Sequence, residues 1–96
     1  MKKQEWVDTT SYRQGERVGQ VEPRSWSLGT GNLSQLRVHQ HIGEPGTWFL
    51  TCFALGIEQR PLLSKDIKDA QAEALVYVAA RVKDAVEYYK KLGVQL

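Results

Sequence analysis

The feature that most narrows the fold is a stripe of apolar residues in the last third of the chain. Ile67, Ala70, Ala74, Leu75, Val78, Val82, Ala85, Val86, Tyr89 and Leu92 recur at three- and four-residue spacing. That period lines one side of an α-helix. Ser64 or Asp66 can accept the first free backbone N–H groups, and Gly93 stands just past Leu92, where a left-handed C-cap is wanted. Val94 can close that cap with an apolar contact. Glu87 and Lys91 form a favourable i,i+4 pair, and Lys90 and Lys91 suit the negative end of the helix dipole. The spacing predicts a helix over 65–92.

Such a helix is roughly 40 Å long at about 1.5 Å per residue, whereas strands of six to eight residues reach only about 20–27 Å. Part of it must overhang any sheet the rest of the chain can build. Val86, Tyr89 and Leu92 then need a cover, either the N-terminal segment around Trp6, Val7 and Tyr12 or a second copy of the chain. Val76, Tyr77, Ala79 and Ala80 widen the apolar surface at mid-helix. A homodimer joined through Val76, Tyr77, Ala80, Val86 and Tyr89 is therefore expected.

The middle of the chain predicts a β-hairpin. "QLRVHQHI" (35–42) alternates, "GEPG" (43–46) supplies a turn, and "TWFLTCFAL" (47–55) is rich in strand-forming residues. Folding the first run back on the second through that turn places Leu36, Val38, Ile42, Phe49, Phe53 and Leu55 on one face, toward the helix. Arg37, His39, His41, Trp48, Leu50, Cys52 and Ala54 fall on the other. Upstream, "PRSWSL" (23–28) predicts a third strand joined through "GTGN" (29–32), and "GERVGQVE" (15–22) a fourth, while "DTTSYRQ" (8–14) has no clear period. The fold expected is α+β: an antiparallel meander of three or four strands with one long C-terminal helix packed on one face. It makes a single domain over 1–96, irregular over 1–14, with strands in 15–56 and the helix at 65–92.

Composition excludes several classes. With 42% apolar and 25% charged residues in 96, the chain can bury one core and lacks the signature of disorder. Its 13 basic and 11 acidic residues are spread evenly, so neither end is a basic tail for nucleic acid. The single Cys52 excludes an internal disulfide and a cysteine-built zinc site, which points to a reducing cytoplasm. "MKKQEWVDTT" has no apolar stretch behind its lysines and does not look like a secretory signal. The longest apolar run, "ALVYVAA" (74–80), is too short to span a bilayer, so no membrane partner is expected.

Several constellations hint at chemistry. His39 and His41 form an H-x-H pair that projects both imidazoles to one side of a strand, a geometry that metal enzymes use. It resembles the H-x-H step of cupins, but Glu44 follows too closely and the later proline, glycine and histidine motif is missing. No metal or other cofactor is expected. Cys52, in the most apolar strand, reads as a small buried residue, although a Cys–His centre with His39 or His41 is geometrically conceivable. "GTGN" joins two strands and does not feed a helix N-terminus, which gives a phosphate loop little support. What remains is Arg24, Trp26, Arg37, His39, His41 and Trp48, which would share the outer face of a three-stranded sheet. Trp and Arg suit a protein interface, and the same groups suit stacking on single-stranded nucleic acid. Near-neutral net charge puts protein partners first.

The segment "GTWFLTCFALGIEQRPLLSKDIKDAQAEALVYVAARV" (46–82) resembles small uncharacterised proteins encoded by bacteriophages and prophages. The likeness lies in the order of elements, the Trp opening the second hairpin strand, and "SKDIKDAQAEAL" at the helix start. It covers about half the chain and transfers no functional residue. Its implication is a small noncatalytic accessory protein acting through protein contacts. A nucleic-acid-binding domain is the second expectation, and a metal-dependent or Cys–His enzyme the third.

Overall fold

The computed structural model describes residues 5–17, 19–29, 34–41 and 43–96. Five strands form one antiparallel meander in the order of the chain: β1 (Val7–Asp8), β2 (Ser25–Leu28), β3 (Leu36–His41), β4 (Glu44–Cys52) and β5 (Ile57–Pro61). One helix follows, α1 (Ile67–Lys91), and lies against β3 and β4. This is the α+β meander with a C-terminal helix that the sequence predicts.

The helix ends follow the chemistry of their residues. Asp66 is the N-cap, its carboxylate accepting the N–H groups of Lys68 at 3.0 Å and Asp69 at 3.2 Å. At the other end Gly93 adopts φ 95°, which a side chain would resist. The Gly93 N–H reaches the Lys90 carbonyl at 3.0 Å and the Val94 N–H the Tyr89 carbonyl at 3.1 Å, the paired bonds of a Schellman cap.

Two elements fall where the sequence shows no strand signal. β5 follows a 3-10 turn at Phe53–Leu55, and its run "IEQRP" is polar and ends in proline. Proline is tolerated there because β5 is an edge strand, with no neighbour beyond it among the described residues. β1 is a two-residue edge strand at the opposite side. The strand expected over 15–22 is not there among the described residues, which carry turns at 14–15 and 19–20 and a single bridge at Val21.

The hairpin register differs from the expected one by a residue, and this changes both faces of the sheet. β4 begins already at Glu44, so Pro45 and Gly46 belong to the strand and not to the turn. His41 pairs with Glu44 but Gln40 pairs with Trp48, a bulge that takes up the residues between, with Gly46 at φ 88°. Beyond the bulge Val38 faces Leu50 and His39 faces Phe49. Because side chains alternate, a one-residue slip exchanges the two faces of a strand. Trp48, Leu50 and Cys52 therefore join Val38 under the helix, and Phe49 turns outward, while Phe53 leaves the strand and is 51% exposed. Ile42, expected in the core, lies outside the described residues.

The core consists of Val38, Trp48, Leu50, Cys52, Ile57, Leu62, Ala70 and Ala74. The two alanines, one helical turn apart, leave room for the helix to approach the sheet closely. The Trp48 indole N–H donates to the Lys65 carbonyl at 3.0 Å, and the Leu62 N–H donates to the Trp48 carbonyl at 2.8 Å. Glu73 holds the same connection from the helix side, accepting the N–H groups of Leu63 and Ser64 and the Ser64 hydroxyl at 2.8–3.1 Å. Those backbone donors, the Leu63 N–H foremost, hold the Glu73 carboxyl below its usual pKa.

Candidate functional site

The cross-strand pairs Ser25–His39, Ser27–Arg37 and Arg37–Thr51 place these side chains on the outer face, away from the helix. Ser25, Ser27, His39 and Thr51 are nonetheless buried. Part of their cover is the segment after β1, which is tied to β2 by hydroxyl groups. Thr9 Oγ1 lies 3.0 Å from Ser25 Oγ and 2.9 Å from Ser27 Oγ, and Thr10 Oγ1 accepts the N–H groups of Arg24 at 2.8 Å and Ser25 at 3.1 Å. This explains why "DTTSYRQ" shows no hydrophobic period: polar side chains dock it.

Arg24 fastens the far end of that segment. Its guanidinium donates to both Glu16 carboxylate oxygens, at 2.8 and 3.2 Å, and to the Ser11 carbonyl at 3.2 Å. The Arg24 bonds, helped by the Arg13 backbone N–H, hold the Glu16 carboxyl below its ordinary pKa.

Between the segment and the sheet lies an open cleft of about 320 Å³ whose polar walls include Thr10, Arg13, Arg24, Arg37, His39 and His41. No carboxylate is among its lining residues. Glu16, which bonds the lining residue Arg24, is occupied by it, and Asp8 accepts the Thr10 N–H. Arg37 Nε donates to Ser25 Oγ at 3.3 Å, which orients the guanidinium along the cleft wall. His41 accepts the Gly43 N–H on Nδ1 at 3.2 Å, so the neutral ring carries its proton on Nε2. A second depression of about 470 Å³ lies on the other side of Arg37 and His39, and Glu58 and Gln59 line it.

His39 is a structural residue. Its Nε2 lies 2.8 Å from Thr51 Oγ1, which also accepts the Gln59 N–H at 3.1 Å, and its ring is stacked 6.2 Å from Phe49. Burial pushes its pKa below 6.5, with Arg37 and His41 adding in the same direction and a bond to the Gln40 backbone opposing them. The fold therefore refuses a proton that the unfolded chain accepts. Stability from this source is complete above pH 6.5 and is lost as pH falls below that value toward the folded pKa. Urea unfolding should accordingly show a lower midpoint at about pH 5.5 than at about pH 7.5. A His39→Gln variant is expected to flatten that difference; an unchanged slope would remove His39 as its source.

Of the six outer-face residues expected from the sequence, Arg24, Arg37, His39 and His41 come together at the cleft. Trp26 and Trp48 do not. Trp26 faces Val38 and packs against the core, and Trp48 is in the core, both turned inward by the registers above. Cys52 is likewise inward, on the opposite side of the sheet from His39, so the two do not form a Cys–His pair. Among the described residues no three of His, Cys, Asp and Glu converge as a metal-ligand group. Sequence reasoning missed Arg13, Thr9, Thr10 and Glu16; the only signal was the Thr-Thr-Ser run facing the Ser25 and Ser27 alternation.

The helix residues expected to self-associate divide as well. Tyr77 is half-buried toward the sheet, with the Arg60 guanidinium 4.2 Å from its ring centre. Val76 is 72% exposed and Ala80 is exposed beside it. Tyr89 and Leu92 are exposed and Val86 is half-buried. Trp6 packs on the core and Val7 faces solvent, so neither serves as the expected cover for the exposed Tyr89 and Leu92. No helix among the described residues is long and apolar enough to cross a membrane. No protein-family model matches the chain, and no curated protein or solved structure matches it either.

Proposed function

We propose that the protein is a small noncatalytic binding protein of phage or prophage type, acting in the cytoplasm through protein contacts, and that its outer cleft receives an acidic segment of its partner. The observation that carries this reading is the imbalance of the cleft. Arg24 is taken up by Glu16, but Arg13 and Arg37, with His41 beside them, supply further donors, and no carboxylate is among the residues that line the cleft. A partner carboxylate would find charge-assisted hydrogen bonds there, the stronger class of such bonds.

Phosphates would be attracted by the same arginines, which keeps nucleic acid as the second reading. It ranks lower because the two tryptophans that would stack on bases are packed on the inner side of the sheet. The test is capture from host lysate with wild type and an Arg13→Glu, Arg37→Glu double variant, each with and without nuclease. Nuclease-resistant capture that drops about 10-fold or more in the variant is expected, since a charged hydrogen bond contributes about 1.5–3 kcal/mol. Capture abolished by nuclease would put nucleic acid first, and capture indifferent to both arginines would remove the cleft.

A further inference from the structure

We infer that two copies of the chain pair through the overhanging half of α1, with the helices antiparallel and Val82 of each copy packed on Ala85 of the other. From Leu75 onward the apolar residues keep a strict alternation of three and four: Leu75, Val78, Val82, Ala85, Tyr89, Leu92. This is the a/d pattern of a two-helix seam. It adjoins the contact with the sheet, which is made further toward the N-terminus by Ile67, Ala70, Ala74 and Tyr77 together with Val78, half-buried where the two surfaces meet. Val76 and Ala80 project from the other side of the helix and take no part in the seam.

Four observations favour a second copy over another cover. The described N-terminal residues leave Tyr89 and Leu92 exposed at 49% and 61%. In antiparallel register the layers match in size, with Leu75 on Leu92, Val78 on Tyr89 and the larger Val82 on the small Ala85. The flanks also agree, because Ala79 meets Val86 and Arg81 meets the face of Tyr88, so no like charges are brought together. Finally, the helix residues packed on the core, Ile67 to Val78, lie in the N-terminal half of α1, in a body 54 Å long and 29 by 20 Å across. Beyond them the turn at Ala54 and Leu55 approaches Arg81, whose Nε donates to the Leu55 carbonyl at 3.4 Å. Antiparallel pairing puts the two sheets at opposite ends, clear of each other, where parallel pairing would put them side by side.

The area is sufficient. The exposed parts of Leu75, Val82, Tyr88, Tyr89 and Leu92 come to on the order of 500 Å² per copy, or about 1,000 Å² across the pair, the size at which specific interfaces begin. The contact is isologous, as a two-fold dimer requires.

Sedimentation of the full chain at about 100 micromolar tests the pairing, since occupancy of such a dimer depends on concentration. The expected mass is twice 10.9 kDa, returning to 10.9 kDa in a Val82→Glu, Tyr89→Glu variant that keeps its helical circular dichroism. Register is tested separately with milder variants in a Cys52→Ala background. Oxidising an equal mixture of Val82→Cys and Ala85→Cys chains, one of them tagged, should join unlike chains. Predominant joining of Val82→Cys chains to themselves would overturn the antiparallel register. A wild-type species of 10.9 kDa at that concentration would overturn the dimer, whether the face then took up anionic vesicles or a different protein.

Discussion

Leu50→Ala is expected to lower the unfolding free energy by about 2–5 kcal/mol, measured by urea titration at one fixed protein concentration. Leu50 is completely buried in the last third of β4, opposite Val38, which is equally buried, and under the helix. Removing three carbons there loses their transfer free energy and leaves a cavity that the alanines of α1 are too short to fill. Against a total of about 5–15 kcal/mol for a small domain, this is a large fraction. The neighbouring comparison is Phe53→Ala, where a larger side chain is removed from a half-exposed position. It should cost about 1 kcal/mol or less. The two variants together test the register of β4, because a strand slipped by one residue would reverse their order.

Trp48→Ala is expected to cost about 3–5 kcal/mol, and Trp48→Phe clearly less. The indole is buried between the sheet and the approach to the helix, and its N–H satisfies the Lys65 carbonyl just before the Asp66 cap. Alanine removes both the packing and the tie, whereas phenylalanine keeps most of the apolar area and loses one hydrogen bond of about 1 kcal/mol. Hydrogen exchange gives an independent readout. The first turn of α1 should lose protection in Trp48→Ala before the sheet does, since that turn is held to β4 through the Lys65 contact and the Leu62–Trp48 backbone bond. Uniform loss of protection would mean that Trp48 acts on the core alone.

Both predictions turn on a feature that local patterning could not supply. A Pro-Gly pair between two apolar runs normally marks a turn, and reading "GEPG" that way is reasonable. Gly46 instead allows a bulge inside β4, so the strand starts three residues earlier and the faces exchange. With β4 reversed, Trp48, Leu50 and Cys52 leave the outer face, and Trp26 turns inward separately because β2 pairs it with Val38, so the aromatic part of the expected binding surface is lost. The basic part survives because Arg37, His39 and His41 belong to β3, whose own alternation was legible. Arg13 and the hydroxyl cluster were not legible, since the segment that carries them is docked by Thr9 and Thr10 hydrogen bonds between residues 14 to 18 positions apart.

Sequence alone determined what depends on neighbours along the chain. The helix expected over 65–92 and found at Ile67–Lys91, its Gly93 cap, the apolar stripe and the overhang all follow from local spacing, while the choice of Asp66 over Ser64 as N-cap came with the structure. The α+β class and the meander of the middle strands were legible too, because alternating runs joined by short turns favour pairing in order. Tertiary structure alone decided the phase of β4, the edge strand β5 and the docking of the N-terminal segment. Each of these rests on which distant partner a strand or hydroxyl meets, and a pleat of period two carries no mark of which face will find the helix.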